Sequence, residues 1–125
     1  MEAFELAYGP HAWNKVGFAL VPFNSGAMEH ATNIAFPAAT ATGSLTYETL
    51  MAHELAHHWW GDLVTCKTEE EMWINEGMAS YSERLFLEHT YNYDRYIDEV
   101  RDNHHAVLHL AHIIDSGNYA LNAVP

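Results

Sequence analysis

Two histidines four positions apart constrain the fold of this 125-residue chain more than any other feature of its sequence. They begin and end the segment His53-Glu54-Leu55-Ala56-His57. On an α-helix, residues four apart are separated by about 400°, which is one turn and about 40° more. Both imidazoles would therefore project from one face and could reach a single metal ion. Glu54 lies about 100° round the helix from His53, so it would stand beside the ion and act on its water.

The residues around this segment predict the helix that the geometry needs. Ser44 or Thr46 could cap its start, and Gly61 could end it. Apolar residues at every fourth position predict a core-facing stripe, formed by Met51, Leu55 and Trp59. His58 would point about 100° away from His57, so we do not expect it to bind the ion.

Two further helices are predicted downstream. The first begins near Thr68, which has the spacing of a capping box with Glu71, and continues to about residue 89. Gly77 inside it costs about 1 kcal/mol relative to alanine and could mark a kink or a restart. The next helix, over about 93–114, is capped by Asn92, and residues 115–125 look irregular.

The amino-terminal part predicts a short helix and two strands. Residues 1–10 resemble the end of a helix that Gly9-Pro10 closes. The apolar segment 15–22 is typical of a buried strand, and 27–36 predicts a second strand that Pro37 ends before a loop over 38–44. The pattern predicts an α+β fold in which residues 1–125 form a single domain or part of one.

Glu76 is the predicted third ligand of the metal site. A catalytic zinc site normally has three protein ligands and a water in an open position. Eighteen residues lie between His57 and Glu76, enough for a turn and a return along the second helix. Such a site predicts hydrolysis, in which zinc lowers the pKa of its water toward about 7, Glu54 accepts the proton and the hydroxide attacks a carbonyl. The alternative is a chance match, because His-Glu-x-x-His also occurs in helices without a metal.

Glu83 lies seven residues after Glu76, two turns along the same helical face. From there it could accept a hydrogen bond from the second ring nitrogen of a ligand histidine. The alternative is an ordinary surface glutamate near Arg84.

The charge balance excludes some partners. Five basic and 17 acidic residues give a net charge of −12, which argues against nucleic acid and anionic membranes as partners. It is compatible with a cationic ligand such as the amino terminus of a peptide. The single cysteine, Cys66, allows no internal disulfide. No signal-peptide pattern or membrane-spanning apolar run occurs, so we expect a soluble protein and favour the cytoplasm.

Three sequence blocks resemble the M1 zinc aminopeptidases, a family of gluzincins. They are Gly26-Ala27-Met28-Glu29-His30, the segment from His53 to Thr65, and Trp73-Ile74-Asn75-Glu76-Gly77-Met78-Ala79-Ser80-Tyr81. Their order and approximate spacing match the family, and Tyr8-Gly9-Pro10-His11-Ala12-Trp13 is similar as well. The resemblance implies a thermolysin-like catalytic domain with one zinc ion, a small sheet and zinc-binding helices. It also implies release of amino-terminal residues from peptides that have a free amino terminus.

The block at residues 26–30 is implied to bind the substrate. On the resemblance, an edge strand carries Gly26, Ala27, Met28, Glu29 and His30, and Glu29 binds the free α-amino group. A carboxylate beside the zinc favours the ammonium end of a peptide over an internal segment. An edge strand can also pair with an extended peptide. The family motif usually ends in asparagine, so His30 is a departure that could alter the pKa of Glu29 or add a polar wall to the first subsite.

A second departure concerns the oxyanion. The family places a tyrosine, followed shortly by Lys-Gly, beyond this region, and the sequence contains no Tyr-x-Lys-Gly; Tyr119 lacks that context. We therefore expect part of a catalytic domain, without the preceding β-rich and following helical domains of a larger multidomain chain. Two alternatives stay open: a zinc-stabilised module without catalysis, and a related gluzincin peptidase that also opens epoxides.

Overall fold

A computed structural model describes residues 1–110, which combine helices with a small sheet. The helices are α1 (Glu2–Tyr8), α2 (Glu48–Ala56), α3 (Trp73–Thr90) and α4 (Tyr93–Leu110). The strands are β1 (Phe18–Val21) and β2 (Ile34–Pro37). This arrangement confirms the predicted α+β fold. None of the helices in the described part of the chain combines the length and hydrophobicity that a bilayer crossing requires.

The two strands pair in parallel, with Phe18 opposite Ile34. The prediction of one strand over 27–36 is wrong, because β2 begins only at Ile34. The chain turns before it: Thr32 has a φ of 67°, and the amide of Asn33 donates to the carbonyl of His30 at 3.0 Å. The 26–30 block instead folds back beside β2, where a single antiparallel bridge joins Met28 to Ala35. The block therefore lies on the side of β2 away from β1.

Helix α2 is shorter than predicted and is not capped as predicted. It begins at Glu48, and the Ser44 and Thr46 hydroxyls bond each other at 2.8 Å instead of capping it. It ends at Ala56, before Gly61, and turns follow. The predicted stripe is also partly wrong, because Met51 is 43% exposed whereas Ala52 is buried.

Helix α3 begins at Trp73 and not near Thr68 as predicted, whereas the end of α3 and the start of α4 agree with the prediction. Helix α3 runs through Gly77 without a break, so the helix does not restart there. The predicted capping box is also wrong: Thr68 makes no side-chain cap, and the Glu71 carboxylate accepts a hydrogen bond from the Lys67 amide. The Asn92 cap of α4 is confirmed, since its Oδ1 accepts from the Arg95 amide at 2.9 Å. The predicted end of that helix at residue 114, the segment 115–125 and Tyr119 lie outside the described residues.

A small aromatic core holds α1, α2 and α3 together. Its buried members are Phe4, Ala52, Ala56, Trp59 and Ala79. The rings of Phe4 and Trp59 meet edge to face with centroids 5.9 Å apart, and the Trp59 indole donates to the carbonyl of Gly9 at 3.0 Å. Packing of α2 against α3 places the carboxyl-terminal end of α2 beside the first turns of α3, and the candidate site forms there.

Candidate metal centre

The structure brings His53, His57 and Glu76 together at one point. The two histidine Nε2 atoms are 3.1 Å apart. The Glu76 Oε2 atom lies 3.3 Å from Nε2 of His53 and 3.7 Å from Nε2 of His57. Tetrahedral bonds of about 2.0–2.1 Å to zinc place neighbouring ligand atoms about 3.3 Å apart. The three atoms therefore already have the mutual spacing of a zinc ligand set.

The hydrogen bonds behind the two imidazoles decide which nitrogen of each ring faces the centre. Nδ1 of His57 lies 2.8 Å from the carbonyl oxygen of Trp60, and Nδ1 of His53 lies 2.9 Å from Oε1 of Glu83. Both oxygens only accept, so each Nδ1 donates, and each neutral ring turns the lone pair of Nε2 toward Glu76. When both rings are neutral, two lone pairs and a carboxylate oxygen repel one another unless a cation lies between them. The donor set therefore fits the zinc ion that the resemblance implies.

The supporting side chains lie mainly on α3. Glu83 accepts from His53 through one oxygen, and its other oxygen accepts from Nη1 of Arg84. Arg84 also donates to the carbonyl of Ser80, so the guanidinium fixes the carboxylate that orients His53. Asn75, buried next to Glu76, accepts from the Cys66 amide at 3.0 Å and holds the connection between α2 and α3 in place.

Glu54 is buried, with only 5% of its surface exposed. Burial raises the pKa of Glu54 to about 7, His53 opposes the increase, and the nearby carboxylates Glu29, Glu76 and Glu83 add to it. A carboxyl group with this pKa can both accept and release a proton near neutral pH.

The 26–30 block approaches the same centre from the sheet side. A carboxylate oxygen of Glu29, one of Glu54 and a ring nitrogen of His57 all lie within 4.8 Å of one another. Of the rest of the block, Ala27 is half-buried, and Gly26, Met28 and His30 are exposed. Glu29 of the 26–30 block and Glu54 of α2 are thus close in space.

Sequence reasoning missed a buried polar cluster behind the site. His58, which was expected only to point away from the ion, is 1% exposed. Its Nδ1 lies 2.9 Å from Nε2 of His11, and its Nε2 lies 4.0 Å from Oδ2 of Asp62. Since His11 precedes His58 by 47 residues, no local pattern could have predicted this contact.

Known proteins are similar to this chain over most of its length. The family model described as the peptidase family M1 domain matches residues 1–118. Aminopeptidase N of Canis lupus familiaris is 38% identical over 96 residues, which cover 66% of this chain and 10% of that protein. Leucine aminopeptidase 2 of Neurospora crassa is 37% identical over 103 residues, covering 78% of this chain and 15% of that protein. The chain therefore spans only a small part of the length of these relatives.

A solved structure agrees with the sequence relatives. The crystal structure of a mutant M1 zinc metallopeptidase from Deinococcus radiodurans, bound to a Tyr-Ser-Ala substrate, superposes with a TM-score of 0.76. It is 29% identical in sequence, and the match covers 86% of this chain and 23% of that chain. The family match, the relatives and the converging ligand set together lead to one conclusion: the chain belongs to peptidase family M1.

Proposed function

We propose that this chain is the zinc-binding catalytic segment of an aminopeptidase, which releases amino-terminal residues from peptides. The observation that carries the proposal is the convergence of His53, His57 and Glu76 within 3.1–3.7 Å, with both Nδ1 atoms directed away from the centre. On this proposal the three side chains hold one zinc ion. Residues 1–125 are part of one catalytic domain within a larger multidomain protein.

Glu54 is the proposed general base. Zinc, when bound, supplies a Lewis acid that polarises a carbonyl and makes water more acidic. The Glu54 carboxylate takes the proton of the attacking water and delivers it to the leaving amine. Its burial supports this role, because burial raises the pKa of Glu54 above that of an exposed carboxyl group, toward the neutral pH range in which a general base works best.

Glu29 is the proposed binding group for the free amino terminus. Its carboxylate faces Glu54 and His57, so an α-ammonium bound there places the first peptide bond next to the zinc ligands. An internal peptide segment has no charge to offer this carboxylate, which favours cleavage at the amino terminus. Met28 pairs with Ala35 beside it, and the 26–30 block could contact an extended peptide through its backbone. The names of the relatives, aminopeptidase N and leucine aminopeptidase 2, support the same activity.

The test compares hydrolysis of aminoacyl-anilides by the zinc-loaded full-length protein with that by a chelator-treated sample and by the Glu54→Gln variant. We expect the chelator to abolish hydrolysis and added zinc to restore it. Glu54→Gln should retain zinc and lose about 10²–10⁴-fold in kcat. N-acetylated substrates should not be cleaved.

Two results would contradict the proposal. Activity that persists in the chelator would exclude a zinc mechanism. A zinc-loaded full-length protein without activity on any free amino-terminal substrate would favour a zinc-stabilised module without catalysis.

A further inference from the structure

The polar cluster behind the metal centre connects three separate parts of the chain. His58 directly follows the proposed ligand His57, and its ring contacts His11 with centroids 5.2 Å apart. Its backbone carbonyl accepts from the Trp13 indole at 3.0 Å. Asp62 lies on the ring's other side and is fixed by its own amide, which donates to the carbonyl of His57 at 2.9 Å. His58 therefore fastens the segment 11–13 to the end of the zinc-binding helix.

The hydrogen bonds of the cluster show which nitrogen of each ring carries the proton. Nδ1 of His11 lies 3.1 Å from the carbonyl oxygen of Trp13, so this nitrogen donates. In the neutral ring Nε2 of His11 then accepts, and Nδ1 of His58 must donate to it. The remaining nitrogen of His58, Nε2, is buried without a hydrogen-bond partner, and so is Oδ2 of Asp62. Buried polar atoms without partners are rare and call for an explanation.

Glu29 and His30, both in the 26–30 block, act electrostatically on this pair. Burial lowers the pKa of His58, His11 adds to this effect, and the backbone of His30 opposes it. Burial raises the pKa of Asp62, and the negative charge of Glu29 adds to that increase. In addition, a carboxylate oxygen of Glu29 lies within 4.8 Å of a ring nitrogen of His57, the residue that precedes His58. The block that carries Glu29 therefore comes close to the residues at the end of the zinc-binding helix.

The block is joined to β2 by the bridge between Met28 and Ala35. Among residues 1–110, the two strands pair closely with each other but make little contact with α2 or α3. Connecting segments link the sheet to the helices. One of these segments, residues 11–13, contacts His58 and precedes β1 in the chain. Strand β1 pairs with β2, and Ala35 of β2 is bridged to Met28.

We propose that His58 is a positioning residue that fixes Glu29 relative to the zinc ligands, acting through its contacts with His11 and Trp13 and through the strands that follow them. The inference rests on the proposed function, in which Glu29 binds the amino terminus. It predicts that loss of the His58 ring weakens recognition of the amino terminus more than it affects zinc binding or kcat.

The experiment uses three variants of the zinc-loaded full-length protein. His58→Leu removes both polar edges of the ring. His58→Asn keeps an N–H group where Nδ1 donates to His11, and His58→Gln keeps a polar atom nearer to Asp62. His89→Leu is the matched control, because His89 is exposed on α3 and its only described ion pair is a 3.7 Å contact with Glu2.

Three quantities are measured for each variant: zinc per chain, kcat and KM for an aminoacyl-anilide, and the Kd of a free amino acid against its N-acetyl derivative. His58→Leu should raise KM and the Kd of the free amino acid about tenfold or more, since a small misplacement of a binding group is costly. Zinc content should stay at one per chain and kcat should change little. His58→Asn should recover part of the loss, and His89→Leu should match the unmodified protein.

A merely structural role would instead lower zinc content and kcat together, and that result would overturn the inference. So would a zinc-loaded His58→Leu variant with unchanged KM and Kd. If His58→Leu does not fold, the other two variants decide, because unchanged KM in both overturns the inference and a raised KM in His58→Gln supports it. An unmodified protein that binds the amino acid without turnover contradicts the proposed function alone, and the Kd values still test His58. An unmodified protein that binds no amino acid overturns both.

Discussion

Removing the Glu83 carboxylate should weaken zinc binding by a predictable amount. Glu83 is 19% exposed at its side chain, and its Oε1 lies 2.9 Å from Nδ1 of His53. A hydrogen bond to a charged acceptor contributes about 1.5–3 kcal/mol, which corresponds to about 10–100-fold in affinity. That range matches the usual effect of losing the hydrogen-bond partner of a zinc-binding histidine. Glu83→Gln keeps an acceptor oxygen and should weaken zinc binding about tenfold. Glu83→Ala leaves Nδ1 of His53 without its Glu83 partner and should weaken zinc binding by nearly 100-fold.

The assay is competition for zinc between the full-length protein and a chromophoric chelator at constant pH. Glu88→Ala is the matched control, since Glu88 is an exposed glutamate on the same helix and its loss changes the net charge equally. The control should bind zinc as the unmodified protein does. If Glu83→Ala stays within about twofold of the unmodified protein, against the usual range, the hydrogen bond to His53 does not tune the metal site and the reasoning is refuted.

Two further predictions concern the ligand histidines. Burial alone would lower the pKa of His53, but hydrogen bonds to Glu76 and Glu83 raise it to about 9 in the metal-free chain. Below this pH a proton on His53 therefore competes with zinc. The apparent zinc affinity should rise by up to about tenfold per pH unit between pH 7 and 9 and level off above pH 9. Equal affinities measured in zinc buffers at pH 7 and 8.5 would contradict this prediction. Gly61 has a φ of 141°, and a Cβ there would lie 3.2 Å from Nδ1 of His57. Gly61→Ala should cost about 1–3 kcal/mol of stability and weaken zinc binding, measured by thermal unfolding and chelator competition, whereas Gly43→Ala should leave zinc binding unchanged because Gly43 has open space around it.

The predicted meeting of the metal-site residues followed from helical periodicity. The positions of His53 and His57 on one face depend only on a helical backbone, and α2 with its following turn provides it. Glu76 required the second helix to return beside the first, which the family resemblance implied and the packing of α2 on α3 provides. Spacing also brought Glu83 to the correct face, because α3 is continuous from Trp73 to Thr90.

Local sequence patterns could not predict the helix ends or the long-range contacts. The Ser44 and Thr46 hydroxyls could equally bond each other or cap a helix, and the sequence does not distinguish the two. The second strand was predicted too long because Thr32 adopts a left-handed conformation that is uncommon for a β-branched residue. The His11–His58 contact depends on tertiary packing between distant segments, for which a single sequence contains no signal.

The ligand set also has a consequence for the unfolded chain. His53 lies on α2, His57 directly follows that helix and Glu76 lies on α3, so an ion held by all three closes a loop with eighteen residues between His57 and Glu76, much as a crosslink does. Each tenfold excess of free zinc over its Kd should therefore add about 1.4 kcal/mol to the folded state. When the metal is removed, proteases should cleave the connection between the two helices before the aromatic core around Trp59 unfolds.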